Sequence, residues 1–126
     1  MSSIRATTIS DLAGTGPVTL TKQSAAKAWV NFNGTGTIAA RDSFNVASLT
    51  DNGTGDYTVT FSASMANSSY FVVMDAQSTN LSFPLKNTGI HTLAVGSARA
   101  NYGAGASETG LQDLTTCTLA TLGDLA

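Results

Sequence analysis

Residues able to do acid–base or metal chemistry are scarce in this chain of 126 residues. His91 is the single histidine, Cys117 the single cysteine and Glu108 the single glutamate. A hydrolytic triad needs a base beside a serine or cysteine nucleophile. His91 sits within a strand pattern beside Thr92, and no G-x-S-x-G accompanies the abundant serines. A glycosidase needs two carboxylates about 5–9.5 Å apart. The candidates are aspartates, and most of them, Asp11, Asp51, Asp56 and Asp124, fall in turn-like stretches, where a carboxylate caps local backbone. Asp51 and Asp56 flank one loop, as calcium ligands could, but no D-x-[DN]-x-[DN]-G pattern joins them. One His and one Cys fall short of a His/Cys metal site, and a lone Cys forbids an intrachain disulfide. The residues therefore predict no catalytic group, no metal and no cofactor, and the chain reads as a non-enzyme.

Gly34-Thr35-Gly36-Thr37-Ile38-Ala39 fits the dinucleotide fingerprint G-x-G-x-x-[GA] in letters only. That fingerprint needs a helix whose N-terminus meets the pyrophosphate. The following Ala40-Arg41-Asp42-Ser43 does not continue as an amphipathic helix, so a hairpin turn is the expectation. Two aromatics lie in predicted loops: Phe83, before Pro84, and Tyr102, within Asn101–Ser107. A loop aromatic amid Asn and Ser can stack on a sugar face, or it can anchor the loop to its own scaffold. Asn80, Phe83, Asn101 and Tyr102, in loops 77–88 and 99–109, are the candidate receptor contacts.

The elements that must hold such loops are strands. Tyr57-Thr58-Val59-Thr60-Phe61 alternates apolar and β-branched polar residues, the pattern of a half-buried strand. Ala28, Val30 and Phe32 share one face of a second strand, with Trp29 and Asn31 on the other. Val18–Thr21, Phe44–Leu49, Phe71–Met74, Ile90–Val95 and Leu114–Leu119 complete the strand candidates. Phe71-Val72-Val73-Met74 is apolar on both faces, which predicts a central strand. Trp29, Phe32, Phe44, Tyr57, Phe61 and Phe71 all fall in these patterns and are expected to pack. Asn33-Gly34 and Asn52-Gly53 are hairpin signals, and the second predicts antiparallel pairing of Phe44–Leu49 with Tyr57–Phe61. Gly-Thr-Gly recurs at Gly14, Gly34 and Gly53, but the strands between do not resemble one another, so it reads as three turns rather than a solenoid.

Charged residues make up 11% of the chain, against roughly 25% in an ordinary domain. Exposed helix faces draw on Glu, Lys and Arg, so this scarcity argues against a helical bundle. Net charge is −2 with no basic patch, which argues against a nucleic-acid partner. The longest apolar run is far short of the ~20 residues that span a bilayer, so no membrane insertion is expected. No apolar stretch follows Arg5, so no signal peptide is expected either. N-x-[ST] matches at Asn33, Asn52, Asn67 and Asn80 then read as chance in an Asn/Ser/Thr-rich chain. The expected architecture is an all-β, small antiparallel β-sandwich over residues 25–126. Residues 1–24 lack aromatics and carry isolated Ile4, Ile9 and Leu12, which predicts either a disordered leader or an extended N-terminal arm that orders against partner chains.

Two stretches are distinctive. One is Gly16-Pro17-Val18-Thr19-Leu20-Thr21-Lys22-Gln23-Ser24-Ala25-Ala26-Lys27-Ala28-Trp29-Val30-Asn31-Phe32-Asn33-Gly34-Thr35-Gly36. The other is Ser43-Phe44-Asn45-Val46 followed by Asp51-Asn52-Gly53-Thr54-Gly55-Asp56-Tyr57-Thr58-Val59-Thr60-Phe61. Together they resemble a module common in tailed-bacteriophage tail fibre proteins, often at the C-terminal end of the fibre. The ending Leu119–Asp124 looks like that module's close. The likeness covers residues 16–61 well and residues 62–110 weakly. It implies a structural protein of the bacteriophage virion, made in the host cytoplasm and assembled as a homotrimer with other virion proteins. In that setting the loops would contact host-surface glycan for attachment. A capsid decoration or head-fibre protein with a structural role alone is the alternative expectation.

Overall fold

A computed structural model describes residues 25–77, 89–103 and 110–126. Eight strands succeed one another: β1 Ala26–Asn33, β2 Ala39–Phe44, β3 Val46–Gly53, β4 Asp56–Phe61, β5 Phe71–Gln77, β6 Gly89–Ala94, β7 Ser97–Asn101 and β8 Thr116–Leu122. They form two four-stranded sheets, ordered β2-β1-β8-β5 and β3-β4-β7-β6, with every pairing antiparallel. No helix occurs among the described residues. The expected small β-sandwich is what the chain forms.

The core follows from alternation. Val30 and Phe32 of β1, Tyr57, Val59 and Phe61 of β4, and Cys117 and Leu119 of β8 point between the sheets and are buried. Trp29 and Asn31 point outward, as the period of two requires. The rings of Phe32, Tyr57 and Tyr102 meet at one end of the core. Phe32 lies 5.2 Å from Tyr57 and 5.8 Å from Tyr102, edge to face in both cases. Such pairs add ~0.5–1.5 kcal/mol beyond the area they bury.

Five sequence expectations need correction. The single strand Phe44–Leu49 is two strands in different sheets, divided at Asn45. That residue takes φ 55°, a left-handed conformation Asn tolerates and β-branched residues do not. Its side chain locks the corner: Nδ2 donates to the carbonyls of Lys27 (2.9 Å) and Ala63 (3.0 Å), and Oδ1 accepts from the Ala63 amide (2.7 Å). The later half, β3, does pair antiparallel with β4 as expected. Phe71–Met74 is not central: β5 is an edge strand, with Phe71 and Val73 exposed. Phe44 and Phe71 consequently pack into no core, unlike Phe32, Tyr57 and Phe61. Asn52-Gly53 closes β3, and the reversal falls at Thr54-Gly55, with Gly55 at φ 64°. The last strand starts two residues later than Leu114 and runs to Leu122. The candidate Val18–Thr21 and the arm residues Ile4, Ile9 and Leu12 lie outside the described residues.

The two outer faces differ. In the second sheet, aligned rows read Ser48, Thr60, Ser97, Ala94 and Thr50, Thr58, Arg99, Thr92, polar in all but Ala94. In the first sheet, one aligned row reads Phe44, Trp29, Ala120, Val73 and the next Ala26, Leu122, Phe71. A further row, Asp42, Asn31, Thr118, Asp75, is polar.

Candidate functional site

The turns and loops between strands gather at the two ends of the sandwich. At one end, the β1–β2 turn, the β3–β4 turn and the segments after β7 and before β8 are tied together. The Gly34 amide donates to the Leu114 carbonyl (2.9 Å), Tyr102 N–H to Gly55 O (2.7 Å) and Gln112 N–H to Tyr102 O (3.0 Å). Asp113 collects two of these pieces: its Oδ1 accepts from the Gly55 amide (2.7 Å) and from the Tyr57 hydroxyl (2.7 Å). The Tyr57 oxygen also lies 2.8 Å from the Gly34 carbonyl. Burial, reinforced by the Asp113 carboxylate, raises the Tyr57 phenol far above its ordinary pKa, so it stays a donor. Gly34 is needed for close approach, since a Cβ there would lie 2.7 Å from the Tyr57 oxygen.

Both predicted binding loops open at this end. Gln77, which precedes residues 78–88, pairs with Thr116 at the start of β8, and Gly89, which follows them, pairs with Asn101 at the end of β7. Residues 104–109 are bracketed by the bridge between Gly103 and Leu111. Asn80 and Phe83 fall outside the described residues. Residues 1–24 join the fold at the opposite end, where Ala26 pairs with Leu122 and Leu122 with Phe71.

Asn101 and Tyr102 part company. Tyr102 is fully buried and its hydroxyl donates to the Thr118 carbonyl (2.8 Å). Its ring offers no face to a ligand, so the expectation of a receptor contact there is corrected: it is a loop anchor. Burial raises its pKa as it does for Tyr57. Asn101 belongs to β7, not to a loop, and points to the outer face of the second sheet, opposite Asp56. Its Oδ1 is buried and accepts no hydrogen bond among the described residues. Asp56 is held by Arg99 in a two-point pair, Nε to Oδ1 at 2.8 Å and Nη2 to Oδ2 at 2.5 Å. The Arg99 hydrogen bonds hold the Asp56 carboxyl below its ordinary value against the opposing cost of burial. Asn52 adds a donor to the Thr58 hydroxyl (2.9 Å), extending this polar strip. Sequence reasoning missed Asp56, Arg99 and Asn52 as a group. The antiparallel pairings of β4, with β3 on one side and β7 on the other, are what join them.

Other expectations find plain structural partners. The Asp51 carboxylate accepts from the Gly53 amide (2.9 Å) while Asp56 faces Arg99, so the two acids do not converge on a common ion. Among the described residues no group of three or more His, Cys, Asp or Glu side chains could hold a metal. His91 is exposed on β6, its Nδ1 2.9 Å from the Thr92 hydroxyl. A shallow groove of about 220 Å³ lies between β2 and β3, lined by alanines and serines together with Ile38, Val46 and Leu49 and without a titratable group. Compared with protein-family models, curated proteins and solved structures, the chain matches none.

Proposed function

We propose that this protein is a non-enzymatic structural component of a bacteriophage virion, a fibre or small spike. In this reading it assembles as a homotrimer, is held to other virion proteins by residues 1–24, and turns its loops toward a host-surface glycan. One observation supports this most: residues 1–24 join the sandwich at one end, and both candidate binding loops open at the other. An attachment protein needs that polarity, because its anchor and its contact surface must face opposite ways. The tail-fibre resemblance of residues 16–61 supports the same reading. The contact surface would draw on the Asn52–Asp56–Arg99 strip beside Asn101, with Asn80 and Phe83 as the candidate contacts of the 77–88 loop. Hydroxyl-rich sugars suit a strip of amides and a guanidinium, and repeated copies would convert weak contacts into avidity.

The test is binding of the purified full chain, displayed multivalently, to a panel of host-surface glycans, with labelling of intact particles to locate it. Specific binding that falls on Asn101→Ala and Phe83→Ala, with label at the tail, is the expected result. Label on the head with no glycan bound would overturn the attachment role in favour of capsid decoration.

A further inference from the structure

The outer faces of the two sheets form an internal comparison. Both belong to four-stranded antiparallel sheets of one low-charge chain, and both cover the same core. The second sheet shows mostly Ser, Thr and Arg to the outside, the ordinary solution for a face that meets water, and its exposed apolar residues, Ile90 and Val95, belong to its β6 edge and the turn after it rather than to an aligned row. The first sheet instead aligns Phe44, Trp29, Ala120 and Val73 across all four strands, with Leu122 and Phe71 in the next row. Phe44 is 53% exposed, Phe71 66% and Val73 49%, and Trp29 is half-buried. Single exposed apolar residues are ordinary, but a contiguous set in register calls for a cause.

We propose that this face is where copies of the chain associate, each burying its Phe44–Trp29–Val73 row and Phe71 against a second copy. Its size suits that occupant. Four strands ~4.8 Å apart and seven residues at ~3.4 Å make a face of about 450 Å² in projection. Side-chain relief raises the accessible area above the projection, toward the roughly 800 Å² per partner of a stable interface. Charge argues against one other occupant. Asp42 and Asp75 border the apolar rows on β2 and β5, which disfavours an anionic lipid surface, and the chain carries net −2. Copies related by an axis along the strands would bring these faces together. They would also keep every loop end on one side and every residue 1–24 junction on the other. The number of copies rests on the trimeric reading above; the choice of face does not.

Trp29 is the only tryptophan in the chain, so its fluorescence reports this face alone. The experiment is sedimentation of the full chain at micromolar concentration, with iodide quenching of Trp29 along a dilution series. It is repeated for Phe71→Lys/Val73→Lys and for Ser48→Lys/Thr50→Lys on the opposite face. The expected result is a multi-chain wild type whose Trp29 becomes more quenchable on dilution. Lysines at 71 and 73 should weaken association roughly a hundredfold or more, because each buries an unpaired charge, while lysines at 48 and 50 leave it unchanged. If the 71/73 variant does not fold, the wild-type quenching series decides alone. A multi-chain wild type that survives both lysines at 71 and 73, or whose Trp29 is equally quenchable at every dilution, overturns the face and leaves the trimer standing. A single-chain wild type overturns both. Shielded Trp29 in that single chain would mean that the chain's own remaining residues cover the face.

Discussion

Replacing Tyr57 by phenylalanine removes one oxygen from the knot that ties the loop end together. That hydroxyl is buried and lies 2.7 Å from Asp113 Oδ1 and 2.8 Å from the Gly34 carbonyl. The hydroxyl carries one proton for these two acceptors, so its loss removes a single donor: the exposed Asp113 carboxylate can take water instead, whereas the buried Gly34 carbonyl keeps nothing to share. An unsatisfied buried acceptor costs ~1–3 kcal/mol, and the rehydration of Asp113 places this one near the lower end, about 1–2 kcal/mol. For a domain of this size that lowers Tm by about 5–10 °C. Gly34→Ala acts on the same knot from the other side. Its Cβ would lie 2.7 Å from the Tyr57 oxygen and 3.0 Å from the Leu114 carbonyl, an overpacking worth about 1–3 kcal/mol. In the Tyr57→Phe background the nearer obstacle is gone, so the second substitution should cost about 1 kcal/mol less than it does alone. Urea denaturation of the four proteins at one fixed concentration measures the cycle. Costs that add to within ~0.5 kcal/mol would refute the knot as a coupled unit.

Glycine positions offer a matched comparison. Gly36 and Gly55 share φ 64°, but a Cβ meets nothing at Gly36 and would collide with the Tyr102 carbonyl at Gly55. Gly36→Ala should cost only the ~1–2 kcal/mol of a left-handed residue, and Gly55→Ala clearly more; equal midpoints in denaturant would contradict this. Asp56, held by Arg99 below its ordinary 3.8, contributes stability that is complete above that pH and is lost as pH falls through its lower folded value. Asp56→Asn should therefore flatten the stability curve below pH 4, and parallel curves for the two proteins would count against the pair. Burial pushes the Cys117 thiol up to about 11, so an aromatic disulfide reagent at pH 8 should leave it untouched until the protein unfolds. Prompt labelling of the native protein would show the strand pair around it opening freely.

Strands whose inward residues are large are readable from sequence. Tyr57, Val59 and Phe61 announce β4, and Ala28, Val30 and Phe32 announce β1, because apolar residues at a period of two share a face on a strand and scatter around a helix. β7 leaves no such trace: Ser97-Ala98-Arg99-Ala100-Asn101 turns only two alanines inward, opposite Val59 and Tyr57 of β4. β5 reads as central in sequence because alternation does not say what its second apolar face meets. That face is turned out of the molecule, not into a second layer. Tyr102 has no position legible in sequence, since its burial depends on pairing with segments far along the chain, the Gly103–Leu111 bridge and the Thr118 carbonyl of β8. Asn45 does carry a local signal: an Asn between two alternating runs is a residue able to turn a corner.

The first sheet has an order of assembly written into it. Its two middle strands, β1 and β8, come from the start and the finish of the described chain, and β5 is joined to the sheet only through β8. The β3–β4 pair closes over a single tight turn and needs nothing made later. A ribosome therefore delivers one sheet whose hairpin can zip at once, and another that must wait for the final strand before its halves meet. Pairings so distant in sequence fold in milliseconds to seconds rather than microseconds. Until then β1 and β5 hold open edges that strands of neighbouring nascent chains could fill.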